Sequence, residues 1–183
     1  LDDPTLLEYL HSHRHQRWQS AIRQLRTDYR PRATPILIER LRAEEPMIRL
    51  DAVDLLIRHG DPPSRAQAIQ FLATEDHRDV VNAALIAFAE SKTSEAFPSC
   101  LEALKNPDPT VRTNAVRAIA SLGEERAAST IQGLRKDPDP AVRCTALASL
   151  YHLGQLCFHH LGATAGVVYG VAHQFLNAKP VKT

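Results

Sequence analysis

Apolar residues in this chain recur at helical spacing in five segments of similar design. In the clearest one, Val111, Ala115, Val116 and Ile119 stand at i, i+4, i+5 and i+8, which places them on one helical face. The same arrangement starts again at residues 17, 48, 80 and 142, and its fifth place is alanine every time. A constant spacing of 31 or 32 residues indicates a stacked repeat.

Helix start and stop signals flank these segments. Aspartate can cap the free N–H groups of a helix, proline suits its first turn, and glutamate is a weaker substitute. Such pairs stand at Asp3-Pro4, Glu45-Pro46, Asp108-Pro109 and Asp139-Pro140. Glycines stand where a helix takes a left-handed C-terminal residue, at Gly60, Gly123 and Gly154. A first helix is predicted over 3–10, and a further amphipathic helix precedes each later segment, over 34–42, 64–74, 94–105 and 127–136.

The repeated phrase Asp-Pro-x-Val-Arg-x-x-Ala-(Val/Leu)-x-x-(Ile/Leu), closing on Leu-Gly, resembles HEAT repeats. Its short period is similar to the HEAT-like subclass named after phycobilisome lyases. The resemblance covers residues 3–154 and is closest in the third to fifth units. In the first unit the segment anchored at Arg17 lacks the cap, and in the third unit Val81 replaces the usual arginine. It implies an α-solenoid whose second helices line a concave surface.

We therefore expect an all-α protein with two parts. Residues 1–154 form an α-solenoid of about five HEAT-like helix–turn–helix repeats. Residues 155–183 form a C-terminal tail helix, and no Asp, Glu, Lys or Arg occurs between Arg143 and Lys179. Within the tail, Gly162, Gly166 and Gly170 make a bare ridge at four-residue spacing, which lets another helix approach closely.

Three interpretations of this tail stay open. It folds back and caps the last repeat, it docks against a partner's helices, or residues 156–176 contact a membrane, although three histidines and a glutamine oppose insertion. Among its histidines, His159 is a candidate contact residue.

The charge balance limits the classes of partner to expect, and the cysteine pattern limits the cellular compartment. With 22 Lys+Arg against 21 Asp+Glu the net charge is +1, so binding to nucleic acid is not expected. The three cysteines, Cys100, Cys144 and Cys157, share no metal-binding or redox spacing. We expect free thiols and a cytoplasmic or other reducing compartment, with peripheral membrane attachment open through the tail.

Sequence motifs for catalysis are missing. No Ser/His/Asp order, glycine-rich phosphate loop or paired metal-binding helix motif occurs. We expect no catalytic residue, metal or cofactor. Arg49, Arg112 and Arg143 each follow an anchor residue and are expected to bond neighbouring loops, with Asp108 and Asp139 within reach.

The function expected is that of a non-catalytic protein-binding scaffold or assembly factor that uses the concave helix face and the tail. The polar residues predicted to face the groove are Asp51, Asp54, Asn82, Asn114, Arg117, Thr145 and His152. An alternative implied by the resemblance is a phycobilin lyase-like protein or lyase subunit, which would bind a bilin and attach it to an acceptor cysteine. A second alternative is an accessory subunit of a membrane complex anchored through the tail.

Overall fold

A computed structural model describes residues 1–12, 14–122 and 125–153. Within these ranges the chain forms ten α-helices and no strand. Short 3-10 turns occur at Pro31–Ala33, Ser94–Ala96 and Leu134–Lys136. The helices are α1 (Asp3–His11), α2 (His15–Thr27), α3 (Thr34–Arg40), α4 (Pro46–His59), α5 (Pro62–Phe71), α6 (Arg78–Ser91), α7 (Phe97–Ala103), α8 (Pro109–Ser121), α9 (Glu125–Gly133) and α10 (Pro140–His152). They follow one another as five pairs, which confirms the predicted helix–turn–helix repeats.

The chain divides into two compact units, residues 1–99 and 100–183. In the first unit α4 packs along α6 and contacts α2, while α3 contacts α1 and α5. The second helices of the pairs thus form one layer and the first helices another. In the second unit α8 packs along α10, and α9 contacts both. The predicted boundary after residue 154 lies outside the described residues and stays a prediction.

The repeated alanine explains how the second helices pack. All five copies are completely buried, at Ala21, Ala52, Ala84, Ala115 and Ala146. A methyl group at this place lets neighbouring helices approach closely, and larger side chains on either side fill the space between them. The anchor residues Val80, Val111 and Val142 are likewise fully buried.

The predicted aspartate caps form at two of the helices. Asp108 accepts a hydrogen bond from the Thr110 N–H at 2.7 Å, and Asp139 accepts from the N–H groups of Ala141 and Val142 at 2.8 and 3.2 Å. At α1 the prediction was wrong by one residue, because Asp2 accepts from the Thr5 N–H at 3.1 Å. Asp3 lies in the first turn, and its carboxylate pairs with Arg30.

The left-handed conformation predicted for Gly60 is also wrong. Its backbone is extended, with φ −63° and ψ 152°. Only Gly60 and Asp61 separate α4 from α5, and Asp61 caps α5 with an extended backbone of its own, so no left-handed turn fits between the helices. Glycine is required for a different reason, since a Cβ would lie 2.4 Å from the Leu56 carbonyl oxygen. Gly123 and Gly154 lie outside the described residues.

The regularly placed arginines bind loops, as predicted. Arg112 Nη1 donates to the carbonyls of Asn106 and Pro107 at 2.9 and 2.8 Å. Its Nε and Nη2 donate to the two carboxylate oxygens of Asp137 in the next repeat, both at 2.9 Å. Arg49 contacts two loop carbonyls and Glu75 in the same way. Asp108 and Asp139 cap helices with their carboxylates. The hydrogen bonds to Asp137 are the main cause that raises the pKa of Arg112, and the nearby charges of Asp139 and Asp108 raise it further.

Candidate binding groove

A groove of about 700 Å³ lies on the layer of second helices in the first unit. We call it the α2–α4–α6 groove. It is lined by Arg26 of α2, by Leu50, Asp54, Arg58 and His59 of α4, and by Ala83, Ile86, Glu90 and Ser91 of α6. Ile86 is 43% exposed. Among the described residues that line this groove, it is the large apolar side chain that is exposed to solvent.

A chain of alternating charges crosses this groove. Asp51 accepts from the Trp18 indole N–H at 2.9 Å and from Arg26 at 3.1 Å. Arg26 also lies 3.7 Å from an oxygen of Asp54. The other oxygen of Asp54 accepts from Arg58 Nε at 2.5 Å.

The chain of charges ends on α6, where Arg58 Nη1 donates to Glu90. The ion pairs therefore link all three helices, and each arginine of the groove is held between carboxylates. Such pairing fixes the direction of each guanidinium before any ligand binds.

The ionisation of two groups shows how burial and pairing compete. Burial raises the pKa of the Asp51 carboxyl above its ordinary value, although Trp18 and Arg26 oppose the shift. Burial disfavours the charge of Arg58, but its hydrogen bonds to Asp54 and Glu90 outweigh this and raise its pKa. The Arg58 cation thus stays charged in the groove.

The structure places the predicted contact residues in different settings. Asp51 is only 5% exposed and Asp54 9%, so both serve mainly to orient Arg26 and Arg58. Asn82 is half-buried on α6. In the second unit Asn114 is buried, Arg117 and Thr145 are half-buried, and His152 is exposed at the end of α10. The tail candidates His159, Gly162, Gly166 and Gly170 lie outside the described residues, and all of these assignments remain predictions.

Asp54 is the one lining residue of the groove that the sequence predicted. The unpredicted residues on which the groove's chemistry depends are Arg26, Arg58, Ile86 and Glu90. The repeat spacing could have predicted Ile86 as a groove residue. It stands six residues after its anchor Val80, and Asp54 and Arg117 stand at the same place in their own repeats. The arginines and Glu90 depend on contacts between repeats, which the pattern within one repeat does not contain.

A second groove, of about 670 Å³, lies on the layer of first helices between α3 and α5. Its lining includes Ile38 and Phe71 together with Glu39 and Arg42. No ion pair joins Glu39 to Arg42 among the described residues. This second groove is the alternative candidate site for binding a partner, beside the α2–α4–α6 groove.

Other kinds of site find little support in the part of the chain that the structure describes. Cys100 is fully buried, and burial raises the pKa of its thiol to about 12, so it is not a thiolate at neutral pH. Across the described ranges no three His, Cys, Asp or Glu side chains stand close enough to hold a metal ion. None of the helices seen there combines the length and apolarity needed to cross a bilayer.

Comparison with known proteins identifies the type of repeat in the middle and second unit of the chain. Residues 66–151 match the family model described as HEAT repeats. Within this range the chain consists of HEAT repeats. The match does not address the phycobilisome-lyase subclass, which stays a prediction.

Among solved structures, this chain is similar to a designed armadillo repeat protein, YIII(Dq)4CqI. The TM-score is 0.51 and the sequence identity 18%, over 97% of this chain and 92% of that one. At this identity the likeness concerns the fold alone, and it supports the all-α solenoid of helical repeats. No curated protein sequence matches this chain closely enough to count as a relative.

Proposed function

We propose that this protein is a non-catalytic protein-binding scaffold or assembly factor, and that it holds a segment of its partner in the α2–α4–α6 groove. The observation that carries the proposal is the exposed apolar side chain of Ile86 beside a continuous chain of ion pairs. Protein interfaces commonly combine an apolar centre with a polar rim.

Preorganisation supports the same conclusion. Arg58 is already fixed by Asp54 and Glu90, so a partner need not order its long side chain on binding. Ordering such a side chain costs about 0.5–1.5 kcal/mol, and that cost is avoided here. A groove of about 700 Å³ accommodates a few side chains of a peptide segment.

Fewer observations support the two more specific alternatives, a phycobilin lyase-like protein and an accessory subunit of a membrane complex. A phycobilin lyase-like role requires a bound bilin, and a visible absorbance band after incubation with bilin would be its signature. A role as accessory subunit of a membrane complex rests on residues 156–176, which lie outside the described residues. It predicts loss of association when the chain is cut after Gly154.

The proposal is tested with a displayed library of random 12-residue peptides selected on the whole protein. The affinity of the selected peptides is then measured by fluorescence anisotropy for Ile86→Asp and for the matched control Ala66→Asp. Ala66 is exposed on α5 and lines neither groove.

A charge placed at an interface centre removes hot-spot contacts, so Ile86→Asp should weaken binding about tenfold or more, while the control leaves it unchanged. Failure to select any peptide, or equal binding by wild type and Ile86→Asp, would contradict the proposal.

A further inference from the structure

The paired second helices of the second unit differ in charge from those of the first. The ranges of α8 and α10 contain no aspartate or glutamate, but they contain three arginines, Arg112, Arg117 and Arg143. Arg112 binds Asp137 and two loop carbonyls, and Arg143 donates to the carbonyls of Asp137 and Pro138 at 2.8 Å each. Two of the three arginines are thus committed to holding loops.

Arg117 is in a different position. Its side chain is half-buried on α8, and its Nε atom is buried without a hydrogen-bond partner. No carboxylate among the described residues pairs with it, and burial lowers the pKa of its guanidinium. In the first unit, by contrast, Arg58 is held between Asp54 and Glu90.

An unpaired, partly desolvated charge is costly, and buried charges in proteins are normally paired. No hydrogen bond from the Nε atom of Arg117 offsets this cost within the described residues. Arg117 is therefore suited to receive an anion from outside the described part of the chain.

The residues at helical spacing around Arg117 include no carboxylate. Asn114 and Ser121 share its helix face at i−3 and i+4, and Thr145 and His152 occupy the corresponding repeat places on α10. Residues 154–183 contain no aspartate or glutamate either, so that segment offers no side-chain carboxylate.

We propose that Arg117 binds a side-chain carboxylate of the partner protein, so that the second unit by itself recognises an acidic residue. This inference rests on the proposed scaffold function and adds the chemistry of the partner. A guanidinium offers two parallel N–H donors that match the two oxygens of a carboxylate.

The test uses the whole protein and the displayed library of random 12-residue peptides. Peptides selected on the wild type are counter-selected with Arg117→Gln or with Arg135→Gln. Arg135 is an exposed arginine of the same unit, so the control removes the same net charge. The thermal stability of both variants is measured in parallel.

We expect peptides that survive counter-selection with Arg117→Gln to be enriched in Asp and Glu. Replacing the acid of such a peptide by its amide should weaken binding to the wild type about 10- to 100-fold, as expected for loss of a hydrogen bond between charged groups. The same replacement should have little effect on binding to Arg117→Gln.

The inference is overturned if no acidic residue is enriched, or if the amide replacement weakens binding to Arg117→Gln equally. It is also overturned if Arg117→Gln melts well below Arg135→Gln, since that would indicate a partner within the chain. Peptides that depend on Ile86 but not on Arg117 would leave the scaffold function standing and remove only this inference.

Discussion

The ion pair between Arg112 and Asp137 should be a main source of stability in the second unit. The side chains are only 11% and 5% exposed. Arg112→Met keeps most of the aliphatic stem but removes four hydrogen bonds and leaves the Asp137 carboxylate buried without its cation. Breaking a buried pair on one side costs about 3–5 kcal/mol, and we expect a loss of that size in the free energy of unfolding.

A matched variant isolates the contribution of the carboxylate. Arg143→Met removes two hydrogen bonds to loop carbonyls but no described ion pair, so we expect it to cost only about 1–2 kcal/mol. Urea unfolding followed by circular dichroism measures both losses. Fluorescence of Trp18, the one tryptophan in the chain, reports the first unit separately. The reasoning is refuted if Arg112→Met loses less than about 1 kcal/mol, or no more than Arg143→Met.

The pH dependence of the same pair has a definite sign. The Arg112 guanidinium holds the pKa of Asp137 below its ordinary value of 3.8. Asp137 therefore contributes stability that is fully present above pH 3.8 and is lost as the pH falls through its lowered pKa in the folded state. Arg112→Met lacks this contribution, so the stability gap between the wild type and the variant should narrow on going from neutral pH to below pH 3.8.

Two further substitutions test the repeat itself. Ala115→Leu overfills the contact made by a fully buried alanine and should cost about 1–3 kcal/mol in urea unfolding, whereas Ala66→Leu on the exposed face of α5 should be nearly neutral. Asp139→Ala removes the cap of α10 and should cost about 1 kcal/mol, whereas Glu45→Ala should change stability by less than about 0.5 kcal/mol, because Glu45 makes no side-chain cap bond. Equal losses in either pair of variants would contradict this account.

How far the sequence predicts the structure depends on the range of the interactions. Helix pairs follow from local periodicity, and the caps at Asp108 and Asp139 form within a single turn, so both were predictable. The sequence did not predict that Asp2, and not Asp3, caps the first helix. The carboxylate of Asp3 pairs instead with Arg30, which is 27 residues away in the chain. The left-handed conformation predicted for Gly60 was wrong for a related reason. The next helix, α5, begins at Pro62 and leaves no room for a left-handed turn after α4.

The same limit applies to the groove. Repeat spacing placed Asp51 and Asp54 on the correct helix, but their burial results from Trp18 and Arg26 on another helix. Polarity at one repeat place therefore predicts the layer on which a side chain stands. It does not predict whether that side chain meets a partner or an ion pair of its own chain.

The most direct test of the proposed function is hydrogen–deuterium exchange of the whole protein with and without a selected peptide. Binding in the α2–α4–α6 groove predicts slower exchange in α4 and α6, with α3 and α5 unchanged. Protection confined to α3 and α5, where the second groove lies, would contradict the account.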